Sequence, residues 1–265
     1  MLKRWTVLIL VTLLALVSLG NLPAAADDEY MTSIRVVNLS PNADGVSVAV
    51  VPTFEGLQGL EPEEWQSMEY LQVSGYMEAA AVEANIIVTV DGVSLTKTQR
   101  FDPETHYTIA LSGLVVPDEL ERKAAEGEDG FLDWLWSIVM GEDPTDAFLL
   151  QARVMEDDLR EVPEGEARLR FVHAAPGTQS VDLAFDHADD PLLGNISYGL
   201  VSPYVTTPLD EVLEIRIADS RIPLKEDLSG LGIEEGKVHT IFLAGSPVGT
   251  EGREVGVLVV KDDPH

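Results

Sequence analysis

Four aspartates fall within nine residues, Asp182, Asp186, Asp189 and Asp190, and together their side chains could do chemistry. Carboxylate oxygens with a loop carbonyl or two are what Ca²⁺ takes, so calcium is the one cofactor these residues suggest. The spacing lacks the regularity of a calcium loop. Asp182 and Asp186 also share a strand face two i to i+2 steps apart, within the range of the carboxylate pairs of extracellular hydrolases. With 46 Asp and Glu in the chain, such pairs arise from composition alone, and a solvated hairpin rim accounts for them equally. His173 is the other candidate. In strand phase it joins Leu169 and Phe171 on an inward face beside a proline turn, where its ring can satisfy backbone groups that burial would otherwise strand. Asn38 holds the matching place earlier in the chain and can make the same kind of bond, which favours structure over ligation or catalysis. G-x-S-x-G, H-E-x-x-H and a phosphate-binding glycine loop are all missing from the sequence, and the chain has no Cys to act as nucleophile. The expectation is a non-enzyme.

The elements that must hold these residues are written twice. Residues 32–50, TSIRVVNLSPNADGVSVAV, align without a gap on 167–185, ARLRFVHAAPGTQSVDLAF, with Pro41 on Pro176, Arg35 on Arg170 and Val37 on Val172. Each copy is an alternating strand, a turn with proline and a second strand. Tyr70-Leu-Gln-Val-Ser-Gly-Tyr76 returns as Tyr198-Gly-Leu-Val-Ser-Pro-Tyr204, and the strand at 105–113 returns at 237–245. Further strands are expected at 84–90, 147–154, 212–218 and 254–260. Residues 55–69 read as a loop with a short helical turn, because Pro62 and the acids before Trp65 suit a first helical turn.

The repeats differ at one place. Between Gly113 and Ala147 the first carries more than thirty residues where the second has a short hairpin. Phe131, Trp134, Leu135 and Ile138 fall at helical spacing there, with Trp136 widening the stripe, so a helical hairpin is expected over about 115–146. An apolar stripe of this kind packs on its own half or serves as a contact surface, self-association included.

The N-terminus reads as an export leader: Lys3 and Arg4, an apolar run from Trp5 to Leu19, then Pro23-Ala-Ala-Ala26, with cleavage expected after Ala26. The run is shorter than the roughly 20 residues of a membrane span. Net charge is −29, and loss of Lys3 and Arg4 with the leader takes it to −31. Such a field repels phosphate backbones and anionic lipid, which argues against nucleic-acid and membrane partners and leaves an extracellular protein or polysaccharide as the expected one. With no Cys for a disulfide, stability rests on burial.

The R-F-V-H-A-A-P block ending at Pro176, the V-D-L-A-F block from Val181 and the Y-x-x-V-S-x-Y block resemble the DUF4397 family, exported bacterial and archaeal domains of unknown function. The resemblance covers nearly all of 32–263 in two copies. The first departs from it, with Asn38 and Ser47 where the second has His173 and Asp182. It implies immunoglobulin-like β-sandwiches. The expected organisation is therefore all-β: a leader at 1–26, a first sandwich at 27–159 with the helical insertion, a linker at 160–166 and a second sandwich at 167–265. The expected role is that of a secreted non-enzymatic binding or surface-associated module, with the carboxylate hydrolase and a calcium-stabilised structural module as alternatives.

Overall fold

The structure, a computed structural model, describes residues 30–53, 62–115, 149–225, 227–246 and 253–263. Two runs of eight strands fill it. The first comprises β1 (Met31–Asn38), β2 (Val46–Pro52), β3 (Glu63–Met68), β4 (Met77–Ala80), β5 (Glu83–Val90), β6 (Val93–Arg100), β7 (His106–Ser112) and β8 (Gln151–Glu156). The second comprises β9 (Glu166–His173), β10 (Val181–Phe185), β11 (Leu193–Ile196), β12 (Val205–Pro208), β13 (Leu213–Ile217), β14 (Pro223–Lys225), β15 (Val238–Ala244) and β16 (Gly256–Lys261).

Sheets β4-β1-β7-β8 and β3-β2-β5-β6 make the first half, and β12-β9-β15-β16 and β11-β10-β13-β14 make the second in the same order. β1 runs parallel to β7 and β9 parallel to β15, whereas the other pairings among these sixteen strands are antiparallel. This wiring differs from the immunoglobulin expectation. There the first two strands are neighbours and the second and third lie in opposite sheets. Here β1 and β2 lie in opposite sheets and β2 pairs with β3.

Alternation along each strand explains the layers. Ile34 and Val36 of β1, Val46, Val48 and Val50 of β2, Ile86 and Val88 of β5, and Ile109 and Leu111 of β7 close one apolar core between the first two sheets. Leu169, Phe171, Val181, Leu183, Ile215, Ile241 and Leu243 close the second. The residues between them on β1, β7, β9 and β15 are buried too, because the outer faces of sheets β4-β1-β7-β8 and β12-β9-β15-β16 pack on each other. Val37, Leu39, Ala110 and Met155 from one half meet Val172, Ala174, Phe242, Ala244 and Val260 from the other. These central strands are therefore buried on both faces, one turned to their own core and one to the opposite half.

Local chemistry sets the turns. Asp91 and Gly92 both take positive φ, 48° and 83°, between the paired Val90 and Val93, as a two-residue hairpin of the primed type requires. The stretch expected to be a loop with a helical turn is in part the strand β3. Its buried residues, Trp65 and Met68, are three apart because Ser67 sits at φ 54° and the register on β2 shifts between Val46 and Val48. That bulge breaks the period of two and mimics helical spacing. β8 starts at Gln151, later than the expected 147, and β9 already includes Glu166 of the expected linker. The expected helical hairpin, with Phe131, Trp134, Leu135, Trp136 and Ile138, lies outside the described residues, as does the leader.

Candidate functional site

The turn residues singled out by the repeat are fastened to backbone. Asn38, fully buried, donates from Nδ2 to Ala43 O at 2.7 Å and Met68 O at 3.1 Å, and its Oδ1 accepts from Ser40 N at 3.1 Å. These bonds close the turn around Pro41 that carries the chain from β1 to β2. His173 does the same work after β9 with one contact, Nε2 to Gln179 O at 3.1 Å across the turn that holds Pro176, and its ring stands edge-on to Tyr198. Burial lowers the imidazole's pKa and outweighs these backbone bonds, so the ring is held neutral. Both residues are structural in position.

The four aspartates are not gathered. Asp182 Oδ1 accepts from Asn195 N at 2.6 Å, Asp186 faces His187 at 3.2 Å, Asp189 pairs with Arg221, and Asp190 is exposed. A hollow of about 410 Å³ opens beside Asp182 and Asp189, but Arg216 and Arg221 line it as well. Arg216 donates to Ala188 O at 2.7 Å and to Phe185 O, which takes the loop carbonyls a calcium ion would want. Among the described residues no group of three or more His, Asp or Glu is placed to hold a metal ion. Asp182, Asp186 and Asp189 thus each have a local partner, and Asp190 points to solvent.

What the structure does gather is a polar lattice at the centre of the packed outer faces. Arg35 of β1 donates from Nε to Thr108 Oγ1 at 2.8 Å, from Nη1 to Lys261 O at 3.1 Å and from Nη2 to Asp262. Arg170 of β9 repeats the pattern toward the first half. Its Nε donates to Thr240 Oγ1 at 3.2 Å, Nη1 to Glu156 O at 2.9 Å and Nη2 to Asp157 Oδ1 at 2.5 Å. Asp157 Oδ2 also accepts from Thr108 and from Tyr76 Oη, both at 2.7 Å. Asp262 Oδ2 accepts from Thr240 at 2.8 Å and Tyr204 Oη at 3.0 Å. Each guanidinium lies over a tyrosine ring, Arg35 at 4.8 Å from Tyr76 and Arg170 at 4.7 Å from Tyr204.

The lattice is dry: the arginine side chains are 3% exposed and both carboxylates 0%. Burial works against the charge of Arg35, but Asp262 and Asp157 beside it outweigh that and raise its pKa. Burial, reinforced by Asp157, pushes the Tyr76 hydroxyl far up, and burial with Asp262 does the same to Tyr204, so both phenols stay donors.

The two heptads exist to place those tyrosines. Ser74 exchanges backbone and hydroxyl hydrogen bonds with Val36, and Ser202 does so with Phe171, while Val73 and Val201 bridge to Val37 and Val172. The heptads' first tyrosines face the opposite half. Arg253 stands 5.2 Å over Tyr70 and donates to Pro41 O at 2.7 Å and to Asp44, while Arg153 is the charged neighbour of Tyr198. His106 lies against Tyr76, and His239 turns inward to accept from Glu234 N at 3.0 Å, so the two histidines do not share a site.

The alignment sets Arg35 on Arg170 without saying what either meets, and Asp157 and Asp262 are not among the residues singled out from the sequence. The available signal was an arginine on a strand face otherwise occupied by Val37 and Val172, with an acid two residues beyond each final apolar position, Met155 and Val260.

No family model matches the sequence, and no curated protein matches it. Among solved structures, one neighbour is a protein provisionally named for cell adhesion from Bacteroides eggerthii. It is 9% identical, with 88% of this chain and 95% of that one covered at a TM-score of 0.22. Another is the C-terminally truncated tip fimbrial protein Mfa3 from Porphyromonas gingivalis, 5% identical, with 88% and 99% covered at a TM-score of 0.18. At these scores neither likeness carries an argument about this chain.

Proposed function

We propose that this chain is an exported, non-enzymatic binding or surface-associated module in which two β-sandwiches act as one rigid body that presents its outer sheet faces and loops to an extracellular protein or polysaccharide. The observation that supports this most directly is the dry lattice between the halves. Four charged side chains, all with partners and walled by valine, leucine and phenylalanine, hold the halves in one relative orientation, which is what a scaffold needs and a reaction does not. The R-F-V-H and Y-x-x-V-S-x-Y blocks that resemble DUF4397 supply Arg170 and Tyr204 to this lattice. Their recurrence is thereby accounted for by architecture. The leader read from Lys3 to Ala26 supports export.

The test has two arms. Fractionation of the producing cells with N-terminal sequencing is expected to find the chain outside the cytoplasm and beginning at Asp27. The labelled mature protein is then applied to arrays of polysaccharides and extracellular proteins, where saturable binding to one class is expected. An unprocessed cytoplasmic chain, or turnover of glycoside or ester substrates that is lost in Asp182→Asn, would overturn the reading.

A further inference from the structure

The joint between the halves is reciprocal in its charges and opposed in its sizes. Arg35, Tyr76, Thr108 and Asp157 correspond to Arg170, Tyr204, Thr240 and Asp262, and each set reaches across to the other. The apolar positions around them do not match. By strand register Leu39 corresponds to Ala174, Ala110 to Phe242 and Met155 to Val260, so where one half is large the other is small. All of these close one shared apolar cluster, so two copies of the first half would bring two Ala110 and no Phe242 to it and underfill that place, and two of the second would bring two Phe242 and crowd it. The charges alone would admit either pairing; the sizes select first half on second.

Among the described residues, the hydrogen bonds that Arg35, Arg170 and Arg253 make across the joint come from the two faces and their flanking turns, not from residues 159–165. That segment is tied to both halves near its start, with Arg168 donating to Arg160 O at 2.7 Å and Glu161 O at 3.2 Å, and Arg160 and Arg168 both pairing with Asp158, at 2.5 and 3.4 Å. The covalent link therefore contributes local concentration, while the buried charges of the lattice come from the two faces.

We propose that the joint is a pairing surface in its own right, and that the partner it fits is the opposite half of a second copy of this chain. Two chains exchange halves, the first half of each closing on the second half of the other, with Arg35–Asp262 and Arg170–Asp157 remade between chains. This is domain exchange without a swapped strand. It does not depend on the proposed binding role, because it follows from the joint alone.

Two full-length variants test it: Arg35→Asp with Asp157→Arg, which reverses the first half, and Arg170→Asp with Asp262→Arg, which reverses the second. In either variant alone, like charges meet at the joint. When the two are refolded together, one isotope-labelled, each half finds a complement only on the other chain. Native mass spectrometry is expected to show a one-to-one dimer of doubled mass, and a chain carrying all four changes is expected to close on itself as a monomer. If the mixture stays monomeric while the fourfold variant is a folded monomer, the proposal is overturned. If the fourfold variant does not fold, Ala110→Phe mixed with Phe242→Ala decides by the same readout: a mixed dimer upholds the proposal and separate monomers overturn it.

Discussion

His173 and Asn38 solve one problem with different side chains. Asn38 reaches three backbone groups, while His173 reaches Gln179 O and fills volume against Tyr198. His173→Asn therefore keeps a hydrogen-bonding amide but leaves space behind, and calorimetry is expected to show a loss of about 1 to 2 kcal/mol. A loss above about 3 kcal/mol would place the histidine in a network that asparagine cannot enter. The same residue has a pH signature. Burial holds the folded-state pKa of His173, and that of His239, below the ordinary imidazole value of 6.5. As pH falls below 6.5 the unfolded chain takes up protons that the folded chain refuses, so the stability these groups contribute is present above 6.5 and is lost on acidification. Denaturant titrations between neutral and mildly acidic pH are expected to show this slope, and to show it reduced in His173→Asn. Leu71 is a second residue at odds with its site. Its φ is 62° where the matching Gly199 takes 79°, a left-handed conformation that costs an L-residue about 1 to 2 kcal/mol. Leu71→Gly is expected to raise unfolding free energy by about 0.5 kcal/mol after the extra backbone entropy of glycine, and Gly199→Ala to lower it by about 1 kcal/mol.

At the scale of elements, the turn after β15 and the lattice between sheets set the tolerances. Gly245 has φ 102°, and a Cβ there would come within 2.3 Å of the Glu254 carbonyl oxygen at the entry to β16. Gly245→Ala must push that backbone away, and a destabilisation of about 2 to 4 kcal/mol is expected from urea unfolding. The lattice is a different case. Asp157→Ala leaves Arg170 buried without its carboxylate and takes the acceptor from Tyr76 and Thr108, so a loss of about 3 to 5 kcal/mol is expected. Arg170→Met with Asp157→Leu removes both charges together and should cost less than that single change, because no unpaired charge is left buried, although Tyr76 and Thr108 still lose their acceptor. A double-mutant cycle measures the difference. If Asp157→Ala alone proved near neutral, the lattice would not be the element that registers the halves.

For the whole molecule, two cores and a shared apolar joint make unfolding a single event as long as the joint holds. One calorimetric transition is expected for the native chain, splitting toward two in Asp157→Ala as the halves uncouple. Net charge bears on the same scale. At −29 the surface repels itself, whereas the lattice is shut away from solvent. Raising salt from about 0.01 M to about 1 M shortens the screening length from about 30 Å to about 3 Å, so the melting temperature is expected to rise. A fall with salt would mean that exposed ion pairs such as Arg160 with Asp158, at 2.5 Å, outweigh the general repulsion.

Period-two patterns and the turn residues between them determined, without any structure, that the chain is built of strands, that it is built twice, and where most of the central strands run, because side-chain alternation and turn chemistry are local properties. β3 escaped that reading because Ser67 breaks the alternation with a bulge. Strand order is a matter of which edges meet, and local pattern cannot state it, so β1 beside β7 and β2 in the opposite sheet emerged only from the fold. The lattice was decided by tertiary structure for the same reason. Arg35 and Asp262 lie 227 residues apart, and an acid at the end of a strand reads as solvated until the opposing half covers it. Conversely, the aspartates at 182–190 read as a cluster in one dimension, and the fold separates them by giving Asp182, Asp186 and Asp189 different partners and leaving Asp190 exposed.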